Sequence, residues 1–507
     1  MSAIEGGIDA GRRPNRTRAW GLIVLGVLPL VLWARPLLLE YGYRDDYSIM
    51  REVVEEPGKI IAVCISEGRL FYGIFLERSF ALANGIPALA IWRLFGAVLL
   101  GLIGALLAWI LIRRFRWTDT AAFTAGALFS LLPSAQLIAA WASCWPLAMA
   151  GLFGLGAFAL TDTGLSATGR TRRLTLFGGF MLLVLGALTY QSNVLLYSVP
   201  LAAGWITDRR PRWRWLGLHL ALVFSSLAIA FAVTEWSFRV LGFLASRRFL
   251  IDLQVISKIA WFLQHPFREA LSLFVLHDVV ERTEPWYSVM EVATGAVVLW
   301  TLVHRQGPRQ AAARLAGFAV LLATAYAVSF VAVERWPTYR TIWPLTGILL
   351  VAVVREVSQW RIVVLRPVVG YAVAVLVVAA VGRSSAWNVE WLLARPQAAE
   401  WARVRESAVD FDPARREQVF LLLPHPADAT APIRHLDEFG SLSADGDWVA
   451  KEMFKQALHR QHPDVPHTAS RFTSQTGYAV PRTTVARVFD FRGVPAHPGA
   501  SVGHVWF

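Results

Sequence analysis

The chain has 507 residues, 55% of them hydrophobic and 17% charged, with a formal charge of +13. A mean hydropathy of +0.46 is too apolar for a soluble chain of this length. The charge is almost all arginine, with Lys59, Lys258, Lys451 and Lys455 the only lysines, and no soluble stretch carries a basic face suited to nucleic acid. Cys64 and Cys144 make neither a disulfide framework nor a metal site.

Apolar runs long enough to cross a bilayer recur through the first 385 positions, and in lipid such runs must be helices, because each backbone amide needs an internal partner. Eleven spans are predicted, near 19–39, 86–112, 119–138, 143–161, 174–189, 193–207, 215–235, 289–303, 313–333, 337–354 and 362–382. The first ends at Arg35-Pro36 with no small-residue cleavage site, so it reads as a retained anchor. Threading from an inside N-terminus puts Arg12, Arg13, Arg16 and Arg18 in the cytoplasm. Arg113/Arg114/Arg116, Arg170/Arg172/Arg173, Arg209/Arg210/Arg212/Arg214, Arg305/Arg309 and Arg355/Arg361 fall on that same side. That is the positive-inside bias, and it predicts a cytoplasmic (inner) membrane protein with its N-terminus inside and its C-terminus outside.

Three regions then face outward: 40–85, 236–288 and the tail 384–507. The first is predicted helical up to Pro57-Gly58, followed by short interfacial helices. The second shows helical apolar spacing with a break at Pro266. In the tail, QVFLLLPHP and TTVARVFDF read as strands bounded by turn residues. The expected fold class is therefore an all-α polytopic membrane protein of about 11 transmembrane helices (residues 1–383). A small mixed α/β extracytoplasmic domain follows (residues 384–507).

The chemistry concentrates in the first outer loop. Asp45 and Asp46 point about 100° apart on a helix, so one can act as general base toward an acceptor hydroxyl while the other binds a substrate group, a cation or Arg69. The plainer alternative is that the pair only caps the loop helix. Arg51, Glu67 and Arg69 share the loop. Outside the membrane an activated sugar must arrive on a lipid phosphate, which leaves without a general acid if guanidinium groups neutralise it. Arg93, early in the second span, reads either as a snorkelling side chain or as an anion ligand. Arg335 and Arg340 in ERWPTYR read as interfacial anchors or as phosphate ligands. Tyr190 and Gln191, in the polar island Tyr190–Asn193, read as a hairpin turn, a cavity lining, or both. His265, His277 and Asp278 match no metal-ligand spacing. No cofactor is certain; a divalent cation on the two carboxylates stays open.

YRDDYSIMRE followed by EGRLFYG resembles the start of the bacterial serotype-converting (type II) glucosyltransferases, a family within the GT-C superfamily of polytopic, lipid-phosphate-sugar-dependent enzymes. TYQSNVLLY and ERWPTYRTIWPL resemble that family's middle and late segments, in the same order, over residues 20–385. The resemblance implies inverting transfer of glucose or another hexose from a polyprenyl-phosphate donor to a cell-envelope glycan or lipid-linked acceptor. It implies Asp45 or Asp46 as the base, with Glu67 and Arg69 completing the site. Arabinosyl- and mannosyltransferase branches share a similar aspartate doublet. A transporter or flippase of lipid-linked glycans is the rival class, but it would place its charges at mid-membrane on broken helices, often in related halves. A non-catalytic scaffold is the third.

Overall fold

The computed structural model describes residues 16–208, 212–242, 246, 250–252, 254–277, 285–304, 307–360, 366–409, 411–412, 418–424, 435, 438–463, 473–479 and 487–492. Arg12, Arg13, Arg209, Arg210, Asp278, Arg305 and Arg361 lie outside them. Helices occupy all eleven predicted positions. In chain order they are α1 (Arg16–Leu37), the loop helices α2 (Asp45–Glu55), α3 (Lys59–Ser66) and α4 (Leu70–Ala81), then α5 (Leu89–Phe115), α6 (Asp119–Ser130), α7 (Pro133–Ala140), α8 (Trp145–Ser166) and α9 (Gly169–Thr189). There follow α10 (Gln191–Val194), α11 (Ser198–Thr207), α12 (Trp213–Leu241), α13 (Val255–Gln264), α14 (Pro266–Leu271), α15 (Pro285–Val303), α16 (Pro308–Ala325), α17 (Ala327–Val331) and α18 (Tyr339–Val357). A last apolar helix, Pro367–Trp387, completes the bundle.

By length and composition, 7 of the described helices can cross a membrane, or 8 if the bent pair α6–α7 is one span. Three expected spans fall short of that test for visible reasons. The run 193–207 is cut by a 3-10 turn at Leu195–Tyr197, 313–333 is cut at Tyr326, and α18 carries Arg340, Arg355 and Glu356. The 49° bend between α6 and α7 sits at Pro133, whose ring excludes a helical hydrogen bond and holds Leu132 extended at ψ 153. Helices α1, α5 and α6 cross through glycine: a Cβ on Gly101 would lie 2.0 Å from the Gly26 carbonyl oxygen, and one on Gly104 would lie 2.6 Å from that of Gly126.

The basic loops gather at one end of the bundle. Arg18 meets Asp119 at 2.9 Å, joining the starts of α1 and α6, and Arg114 meets Asp162 at 3.4 Å, joining the ends of α5 and α8. The Trp215 indole donates to Asp162 at 3.1 Å and that of Trp117 to Thr207 at 3.0 Å, adding α12 and α11. Arg314 reaches the Asp208 carbonyl, and Arg355 lies 5.5 Å over Trp117, adding α16 and α18. The first loop, Trp141–Trp145, Tyr190 and the start of α18 meet at the other end, as do α14 and the tail.

The tail holds a three-stranded parallel sheet of order β2-β1-β3, with β1 Gln418–Leu422, β2 Thr473–Gly477 and β3 Arg487–Asp490. The two predicted strands are β1 and β3 (residues 483–486 lie outside the described set), and β2 carried no apolar signal. Helices Arg395–Ser407 and Asp447–Gln461 pack beside the sheet. The last apolar helix continues through a π-helical stretch, Asn388–Ala394, into Arg395–Ser407, so position 384 falls within unbroken helix. Tyr47, Met50, Val53, Leu76 and Phe80 of the first loop form one apolar cluster with Trp401, Met453, Phe454, Leu458 and Phe489 of the tail. Burial of those aromatic and aliphatic faces fixes the loop to the tail.

Candidate functional site

The first loop is held by its own termini and by the tail. Arg44 takes a left-handed φ of 42° and turns the chain into α2, so that Asp45 and Asp46 form its first turn. The Arg44 amide donates to Ser443 Oγ at 2.9 Å, and its guanidinium meets Asp445 at 2.9 Å. Arg51 binds Glu452 of the tail at 2.6 Å together with Glu55 and Glu56 at 3.0 Å. Glu40 accepts from Trp401 at 2.8 Å and pairs with Arg405 and Arg460.

The two aspartates do different things. Asp46 is fully buried. Its Oδ2 accepts the Tyr43 amide at 2.9 Å and its Oδ1 accepts the Ser143 amide at 2.9 Å, bolting the loop to the break between α7 and α8. Burial pushes its carboxyl up to about 7, against the pull of those amides and of Arg93. It caps no helix in the usual way, because α2 has no side-chain cap bond. Asp45, one residue earlier, is partly exposed and lies within electrostatic reach of Cys64 and Cys144.

Two arginines converge there. Arg69 pairs with Glu67 at 2.6 Å and stacks 4.5 Å over the Tyr190 ring. Arg340 stacks 4.4 Å over Trp141, with Cys144, Tyr190, Glu438 and Tyr72 around it. Both side chains keep some exposure, 18% and 19%, and both have a buried Nε with no hydrogen-bond partner among the described residues. Gln191 donates to the Gly68 carbonyl at 2.5 Å, setting the turn that carries Arg69. Tyr72 donates to the Ser143 carbonyl at 3.0 Å and lies 5.9 Å from the Tyr190 ring. Asp45, Glu67, Arg69, Tyr190, Gln191 and Arg340, drawn from three parts of the sequence, thus border one region, with Asp46 directly beneath.

Three of the arginines named from sequence are placed elsewhere. Arg93 is fully buried and gives its donors to the carbonyls of Leu37 at 3.0 Å, Leu39 at 2.7 Å and Tyr41 at 2.6 Å, with the Tyr41 ring stacked on it at 3.8 Å. It closes the end of α1, so neither snorkelling nor anion binding describes it. Arg51 is spent on four glutamates. Arg335 is exposed and meets Asp252 at 3.3 Å in the second outer region, beside α13.

Sequence reasoning missed Tyr72, Trp141, Cys144, Glu269, His435 and Glu438. Trp141–Trp145 had a readable signal: a polar break between apolar runs flanked by Pro133 and Pro146, the kind that did mark Tyr190–Asn193. His435 and Glu438 had none, since only tertiary packing brings them to Arg340. Burial lowers the His435 pKa, but Glu438 at 2.9 Å and Glu269 at 3.8 Å outweigh it and raise it to about 10. The His277 amide donates to the Tyr339 hydroxyl at 3.0 Å, and His265 ends α13.

Among the described residues, no group of three or more His, Cys, Asp or Glu is arranged to hold a metal ion. Asp46 is fully buried and accepts an amide on each oxygen, so Asp45 is the more exposed carboxylate of the doublet, and two carboxylates alone fall short of the roughly six oxygens that a divalent cation gathers.

No protein-family model matches the chain, and no curated protein sequence matches it significantly. The solved structures similar to it include the following two. One is a crystal structure of the Archaeoglobus fulgidus oligosaccharyltransferase in complex with Zn and sulfate. The likeness is 11% identity over 87% of this chain and 61% of that one, with a TM-score of 0.44. The other is a cryo-EM structure of the arabinofuranosyltransferase AftD from Mycobacteria, at 17% identity over 92% of this chain and 32% of that one, with a TM-score of 0.43. The chain spans less than two thirds of the length of either. At these scores the likeness decides neither activity nor substrate, and the resemblance to serotype-converting glucosyltransferases rests on its motifs alone. What fold and site define together is a multi-pass membrane protein with a polar site at the end opposite its basic loops.

Proposed function

We propose that this protein is a membrane glycosyltransferase that moves a hexose from a polyprenyl-phosphate donor to a cell-envelope glycan or a lipid-linked acceptor. The observation that carries the reading is a partly exposed carboxylate, Asp45, sharing one region with two incompletely bonded guanidinium groups, Arg69 and Arg340. In this mechanism Asp45 takes the proton of the acceptor hydroxyl. The hydroxyl oxygen attacks the anomeric carbon from the face opposite the phosphate, the carbon–oxygen bond to phosphate breaks, and the configuration inverts. Arg69 and Arg340 stabilise the charge that develops on the departing polyprenyl phosphate, which needs no general acid. The proton leaves Asp45 for water afterwards. Tyr190, Tyr72 and Trp141 offer hydroxyl and aromatic groups to the sugar, Glu67 and Gln191 hold Arg69, and Asp46 fixes the loop. The basic end lies in the cytoplasm, and the site and the tail lie outside the inner membrane.

The test is Asp45→Asn in full-length protein. Sugar transfer should fall about 10²–10⁴-fold, the usual worth of a general base, with membrane insertion and thermal stability unchanged. Full activity in that variant removes Asp45 from the chemistry. Lipid-linked sugar that accumulates on the inner face of the membrane in cells lacking the protein would instead favour a flippase.

A further inference from the structure

The tail reaches the candidate site through the turn around Glu438. Glu438 is fully buried; its Oε2 accepts the Tyr339 amide at 2.9 Å and meets His435 Nδ1 at 2.9 Å. Its backbone carbonyl accepts the Tyr43 hydroxyl, and the Gly440 amide donates to the Leu392 carbonyl at 2.8 Å, so main chain and side chain are both fixed. The remaining oxygen, Oε1, makes no hydrogen bond among the described residues and lies 3.5 Å from Arg340 Nε. Arg340 itself has no oxygen partner in hydrogen-bonding geometry among the described residues; it is held by the Trp141 face, the Cys144 thiol and that carboxylate edge.

We infer that Glu438 is the positioning residue of Arg340, steering the guanidinium by its Nε edge so that its terminal nitrogens meet the phosphate of the lipid donor. The inference rests on the reading of Arg340 as a phosphate ligand. Glu438 divides its contacts between His435 and Arg340 and meets the guanidinium only at its Nε edge, so the terminal nitrogens of Arg340 have no oxygen partner among the described residues. A residue from the tail completes a site that begins near position 45.

The experiment is a double-mutant cycle on full-length protein in nanodiscs, measuring binding of undecaprenyl phosphate with undecaprenol as the phosphate-free control. Arg340→Gln should weaken phosphate-dependent binding about tenfold or more, as expected for loss of a charged hydrogen bond. Glu438→Gln keeps an acceptor for the Tyr339 amide and should weaken binding about three- to tenfold. The double variant should bind no worse than Arg340→Gln, because Glu438 acts only through that residue. Transfer assays should show the Glu438→Gln loss in kcat as well as in the donor KM, because Arg340 also stabilises the charge developing on the departing phosphate. If the two losses multiply, or if Glu438→Gln binds like the unaltered protein while Arg340→Gln does not, the positioning role is overturned and the phosphate site stands. If Arg340→Gln binds normally, the phosphate site fails and the inference with it. Should Glu438→Gln yield no folded protein, Glu438→Asp retains the charge one carbon shorter; a partial loss is expected, and full affinity overturns the proposal.

Discussion

The two ends of the bundle use charge in opposite ways. At the basic end Arg16, Arg18, Arg113, Arg116, Arg170, Arg172, Arg173, Arg212, Arg214 and Arg309 are exposed to solvent. Their number sets orientation, and of them Arg18 and Arg212 also pair with Asp119 and Asp208 at partly solvated positions. At the other end Asp46, Arg93, Glu269, Glu400, His435 and Glu438 are buried, with partners up to 166 positions away in sequence, from Glu269 to His435. There each charge determines where a piece of backbone sits. Charge that decides which way a protein faces tolerates substitution, whereas charge that decides where atoms sit does not.

The sharpest test of that contrast is Arg93→Met. It leaves the carbonyls of Leu37, Leu39 and Tyr41 without their donor in a buried setting, so it should cost on the order of 3 kcal/mol or more. Thermal unfolding followed by size-exclusion chromatography measures it, and a loss under about 1 kcal/mol would mean that Arg93 does not close α1.

A second, smaller effect follows from pH. Burial raises the Glu400 carboxyl from 4.5 to about 7, even though the amides of Ala444 and Ser443 bond to it. Below about 4.5 both folded and unfolded chains hold the proton; between about 4.5 and 7 only the folded chain does. Stability should therefore fall as pH rises through that window and level off above it, by about 3 kcal/mol at most from this group. Asp46 contributes with the same sign. Melting curves at acid and neutral pH should show a shallower dependence in Glu400→Gln, and an unchanged slope would place the proton elsewhere. The smallest effect belongs to the basic end: Arg172→Gln should shift stability by less than about 0.5 kcal/mol and leave transfer unaltered. A large loss from that single change would break the contrast.

Much of the fold was legible because lipid leaves the backbone one solution. Helix positions and the grouping of the basic loops follow from hydropathy and arginine placement; Pro133 marks its own bend, whereas the breaks at Leu195–Tyr197 and Tyr326 came only with packing. The site was half legible. Asp45, Arg69, Tyr190 and Arg340 stood out as polar groups at the borders of apolar runs. Their neighbours Glu438 and His435 sit in a polar tail where charged residues are ordinary, so nothing local marks them. Arg93 misled for the opposite reason: a guanidinium inside a span looks functional until the carbonyls at the end of α1 are seen around it.

The contact between residues 40–51 and 435–460 also governs when the protein becomes competent. The ribosome delivers the segment carrying Asp45 long before the turn carrying Glu438. A nascent chain would therefore have its helices inserted while Arg44, Arg51 and Arg340 still waited for Asp445, Glu452 and Glu438. A chain halted before that turn would be membrane-bound with these contacts unmade, and they would form only once the tail had emerged.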